Sequence, residues 1–144
     1  MKKCVLTVIT LLFFCITPFN AFGGDFDGTK DLICACMRVI ECSPDGDCSE
    51  AMVEDVGIPQ FLQINFEKKI ITAPQWGENH VPSKIKNLER IDGKLILQGA
   101  EDGLIEVQDG AAWSIAISEE TGKMVLTESA DRMGFVIFGA CTPF

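Results

Sequence analysis

A single histidine, His80, serves a chain of 144 residues. That leaves at most one Cys–His nucleophile pair, with Cys36 as the thiol and His80 as the base a thiolate needs. Other chemistries lack their motifs altogether. There is no glycine-rich phosphate loop, no Gly-x-Ser-x-Gly elbow and no Ser-x-x-Lys in a matching context. Asp45, Asp47 and Glu50 cluster within one turn, but the spaced acidic loop of a calcium site is missing, so they read as an acidic turn. The Asn-x-Ser/Thr acceptor pattern, tandem repeats and low-complexity runs are absent too. Basic residues are scarce, 12 against 21 acidic, for a net charge of −9. Such a chain repels phosphates and anionic lipid, which argues against nucleic acid as a partner.

What is present begins with a leader. Lys2 and Lys3 precede an apolar stretch from Val5 to Ile16, and Ala21-Phe22-Gly23 offers small residues where a signal peptidase reads. The stretch is shorter than the roughly 20 residues of a membrane-spanning helix, and Pro18 and Asn20 interrupt it, so no stable membrane anchor is expected. Residues 1–23 are therefore expected to be a cleaved signal peptide and 24–144 a single β-rich domain, periplasmic or secreted. Losing Lys2 and Lys3 leaves ten basic against 21 acidic residues, a net charge of −11.

Five of the seven cysteines lie beyond the leader: Cys34, Cys36, Cys42, Cys48 and Cys141. In an oxidising compartment they should pair, with one left over. Thr29 suits a helix N-cap, and Lys30 to Glu41 shows helical spacing, with Leu32, Ile33, Ala35, Cys36, Val39 and Ile40 in one apolar sector. On that helix Cys36 lies in the buried stripe and Cys34 faces away from it. Cys36 is accordingly the expected free, buried thiol. Ser43-Pro44-Asp45-Gly46-Asp47 is turn chemistry that lets Cys42 meet Cys48, which leaves Cys34 for Cys141. Metal binding by Cys34, Cys36 and His80 is disfavoured, because residues two apart on a helix point apart and zinc wants four ligands.

From Gln60 the periodicity changes to two. Leu62, Ile64 and Phe66 alternate with polar neighbours, and Ile70 to Ala73 follows after Glu67-Lys68-Lys69 as a hairpin. Pro74 to Pro82, with Trp76 and His80, reads as a loop. Lys84 to Ile91 and Lys94 to Gly99 flank Asp92-Gly93, a strong hairpin signal. Leu104 to Val107, Trp113 to Ser118 and Lys123 to Ser129 complete a run of short strands. Gly134 to Ala140, apolar on both faces, fits a central or closing strand. Glu101-Asp102-Gly103 and Asp109-Gly110 read as loop punctuation. The expected fold is mainly β (α+β): an antiparallel meander curled into a small barrel or bent sheet, disulfide-stapled, with one N-terminal helix. A flat two-layer sandwich is the alternative.

Several blocks carry a resemblance. Phe26-Asp27-Gly28-Thr29-Lys30, Cys34 with Glu41-Cys42-Ser43-Pro44, Leu95-Ile96-Leu97-Gln98-Gly99, Trp113-Ser114-Ile115 with Thr121-Gly122-Lys123-Met124, and the ending Gly134 to Pro143 are similar to a family of small exported bacterial proteins. The resemblance covers most of the chain beyond the leader. It implies family cysteines at Cys34, Cys42, Cys48 and Cys141, with an apolar residue in place of Cys36. The family is without assigned function, so the resemblance implies no catalytic residue.

The functional expectation is an exported, non-enzymatic binding or accessory protein, without cofactor or metal, taking a small apolar ligand or a protein partner. Trp76 and Trp113 are candidates to line an internal cavity if the meander closes. The alternatives are a thiol-dependent or other hydrolase using Cys36 and His80, and a structural protein of the envelope.

Overall fold

A computed structural model describes residues 24–75, 81–101 and 110–144. It contains nine strands: β1 (Leu32–Cys42), β2 (Cys48–Ala51), β3 (Phe61–Asn65), β4 (Ile70–Thr72), β5 (Ser83–Ile91), β6 (Lys94–Glu101), β7 (Ala111–Ser118), β8 (Lys123–Ser129) and β9 (Gly134–Pro143). From β3 onward each pairs antiparallel with the next, and β9 returns to β1, so the sheet closes into a barrel. Closure removes the unpaired edges an open meander would expose.

One strand position is shared. The edge of β1 opposite β9 pairs first with β3, over Leu32 to Ala35, and then with β2, over Val39 to Cys42. β2 and β3 thus act as one interrupted strand of an eight-position barrel. The intervening Met52 to Gln60 leaves the wall, and Ile58 of this segment is buried. A backbone bond from Cys36 N–H to the Gln60 carbonyl, 2.8 Å, fastens the return.

The expected N-terminal helix over Lys30 to Glu41 is corrected: that stretch is strand β1. Leu32, Cys34 and Cys36 point inward with period two. The register with β9 then shifts between Cys36 and Arg38, and the bulge brings Val39 to the inside. The resulting spacing from Cys36 to Val39 imitates a helical i, i+3 pair. Cys34 lies on the buried face beside Cys36, not opposite it. Thr29 caps no helix, and its N–H and hydroxyl both donate to Asp27 Oδ1, at 3.0 and 2.6 Å. Among the described residues there is no helix.

The remaining strands follow local chemistry. Asp92 and Gly93 both hold positive φ, 48° and 70°, the conformation of the two-residue turn that matches strand twist. β9 pairs with β8 on one edge and β1 on the other and so closes the barrel, with Ile137 and Cys141 buried inside and Phe138 exposed on the outer face. The stretch 104–107 lies outside the described residues. At one end of the barrel, Phe26 of the segment before β1 packs against the core. Gly122 has no room for a side chain there, since a methyl group would press into the Phe26 ring.

Inside, side chains stack in rows set by the register. Leu95, Ile117, Met124, Gly139 and Cys36 form one row, and Leu97, Ile115, Leu126, Ile137 and Val39 the next. Both are apolar, and apart from the partly buried Gly139 every member is buried. The third row is Gly99, Trp113, Glu128, Phe135 and Glu41. There the packing changes character.

Candidate functional site

The third row begins with a glycine. A methyl group at Gly99 would overlap the Trp113 ring and the Lys84 carbonyl oxygen, so the indole lies in the space that a side chain on β6 would take. Its Nε1–H donates to Ser83 Oγ at 2.7 Å, and both groups are buried. Ser83 is the one buried polar residue in the described core. This bond satisfies the indole, which otherwise would sit unpaired in an apolar interior.

Beside the indole lies a cavity of about 150 Å³ at this end of the barrel. Leu62, Ile71, Ile115 and Leu126 give it apolar walls, and the segment that interrupts the β2–β3 strand, Val56 to Pro59, lines one side. Two carboxyl groups also line it, Glu101 at the end of β6 and Glu128 on β8. Glu128 is half-buried and sits across the register from Trp113. Burial pushes its carboxyl up to about 7, and the charge of Glu101 adds to that. Taking charge from water disfavours ionisation, and a second carboxylate nearby disfavours it further.

Both glutamates have the inward phase of their strands. Glu101 continues Leu95, Leu97 and Gly99, and Glu128 continues Met124 and Leu126. Reading Glu101 with Asp102-Gly103 as punctuation missed this. Strict alternation was the signal that could have found both residues.

The cysteines hold separate positions. Cys34 is joined to Cys141 and Cys42 to Cys48, and Cys36 is a buried free thiol. Burial pushes the Cys36 thiol up to about 11, with the Glu128 charge contributing, so at neutral pH it carries its proton. Trp76 and His80 lie outside the described residues. Trp113 both fills the core and forms a cavity wall. Asp45, Asp47 and Glu50 are exposed on the β1–β2 hairpin, and Glu50 pairs with Arg38 at 3.0 Å. Among the described residues no group of three or more His, Cys, Asp or Glu side chains could hold a metal ion.

The chain was compared with family models, curated proteins and solved structures, and none of the three comparisons finds a match. The site is read from its own chemistry.

Proposed function

We propose that the protein is an exported binding protein that takes a small ligand into the end of its barrel. The observation that carries this reading is the cavity beside Trp113, with apolar walls and a few convergent polar groups, the usual make-up of a small-molecule site. Two disulfides suit an oxidising compartment and so support export behind a leader at residues 1–23. The thiol-enzyme alternative has less support, since Cys36 is buried and protonated. An envelope-structural role would not call for an internal cavity.

Xenon enters apolar cavities of this size and needs no knowledge of the natural ligand. Under xenon pressure, the methyl resonances of Ile71, Ile115 and Leu126 should shift together, while those of Leu95 and Ile117 stay in place. Uniform or absent shifts would overturn the reading. Iodoacetamide addresses the alternative: Cys36 should label only after denaturation, and rapid labelling of the folded protein would reinstate a reactive thiol.

A further inference from the structure

The bond from Trp113 engages only one side of the Ser83 hydroxyl. Its Oγ accepts the indole hydrogen, while the hydroxyl's own hydrogen is donated to no acceptor among the described residues. Ser83 is 5% exposed, stands opposite Ile71 in the β4–β5 register and lines the cavity with it. A hydroxyl hydrogen held at that depth costs free energy until something accepts it. We infer that the ligand is a small uncharged molecule, an apolar body carrying one acceptor oxygen as a ketone does, and that this oxygen takes the Ser83 hydroxyl hydrogen. This inference rests on the reading of the cavity as a binding site.

Three observations narrow the chemistry. The first is the direction of the hydrogen bonds. Because the indole fills the space over Gly99, its Nε1 is held at Ser83 and the hydroxyl stays at one place on the cavity wall. A hydroxyl that accepts a bond is polarised into a better donor, so the chain from indole to serine ends on a hydrogen that calls for an oxygen. A hydrocarbon fills the walls but leaves that hydrogen unmet, and an ammonium has no acceptor to offer it.

The second is the sign of the charge around it. No Lys, Arg or His is among the described residues that line the cavity, whereas Glu101 and Glu128 are. A carboxylate or phosphate would give up its water there without a counter-charge, which is costly, so the acceptor belongs to an uncharged group. The third is size. A volume of about 150 Å³ takes a body on the order of benzene, not a lipid or a peptide, and Leu62, Ile71, Ile115 and Leu126 supply apolar walls for it.

The test compares cyclopentanone, methylenecyclopentane and cyclopentylammonium, equal in heavy atoms and alike in shape, by NMR titration at neutral pH. On the native protein cyclopentanone should move the Ile115 and Leu126 methyls saturably and shift the Trp113 indole N–H downfield, because a serine that donates becomes a better acceptor. Methylenecyclopentane should move the methyls and leave the indole N–H in place, and cyclopentylammonium should move neither. The double variant Ser83→Ala/Trp113→Phe removes both members of the hydrogen bond and so leaves no buried orphan. In it, the affinity for cyclopentanone relative to methylenecyclopentane should fall at least about tenfold, a change of about 1.4 kcal/mol. An unchanged ratio, an indole N–H indifferent to the ketone, or saturable binding of the ammonium overturns the inference and leaves Ser83 as a partner of the indole alone. The indole readout needs only the native protein, so it decides even if the double variant does not fold. If the ketone fails to bind while xenon shifts the cavity methyls, this inference fails and the cavity reading stands; if xenon leaves them unshifted too, both fail together.

Discussion

Cys34 and Cys141 stand directly opposite each other across the β1–β9 seam, Cα atoms 3.9 Å apart, and their sulfurs are joined. The bond falls on the pairing that turns a meander into a barrel. It links positions 107 residues apart, whereas Cys42–Cys48 spans only six. In the chain-entropy account, the long closure contributes nearly 5 kcal/mol and the short one about 2.4 kcal/mol. The double variant Cys34→Ala/Cys141→Ala should therefore lose more stability in urea unfolding than Cys42→Ala/Cys48→Ala. Equal losses would mean that strain or residual structure outweighs the loop-closure term.

The seam also shows what the sequence could and could not convey. Strands β3 to β9 were legible because period-two alternation and turn chemistry at Asp92-Gly93 agree. Closure was foreshadowed by a final strand apolar on both faces. β1 was not legible as a strand, because the bulge after Cys36 breaks the alternation and leaves a spacing that helices also show. The cavity was harder still. It depends on Gly99 making room for the Trp113 ring across a strand pair, and a linear reading shows a glycine and a tryptophan 14 positions apart without their register. Glu101 and Glu128 belong to the site through the same register.

That relation between Gly99 and Trp113 predicts an asymmetry among glycines. Gly99→Ala should cost about 2–3 kcal/mol, because the added methyl must displace the indole or the Lys84 backbone. It should also weaken the tryptophan bands in near-UV circular dichroism as the bond to Ser83 breaks. Gly134→Ala is the control: nothing lies within 4 Å of an added methyl there. It should change stability by less than about 0.5 kcal/mol, or raise it slightly by stiffening the unfolded chain. Similar costs at the two sites would show that the indole does not occupy the space over Gly99.

Glu128 predicts a pH dependence with a definite sign. Its carboxyl is raised from an ordinary 4.5 to about 7 by burial, with Glu101 adding to the effect. The folded protein then holds the proton more tightly than the unfolded chain, so stability is lost as pH rises from about 4.5 to about 7 and levels off beyond. A shift of that size corresponds to about 3 kcal/mol at full burial. Because Glu128 is only half-buried, a discounted value of roughly 1–2 kcal/mol is expected. Glu128→Gln removes the titration and leaves the shape nearly intact. Its stability advantage over the native protein should therefore be largest at pH 8 and shrink by roughly 1–2 kcal/mol on going to pH 4, measured by thermal or urea unfolding. The Cys36 thiol, raised from 9.0 to about 11, titrates outside this window and does not confuse the comparison. A gap that stays constant between pH 4 and pH 8 would mean that Glu128 is solvated like a surface carboxylate. A gap that closes toward acid means that the fold carries an ionised group at a cost.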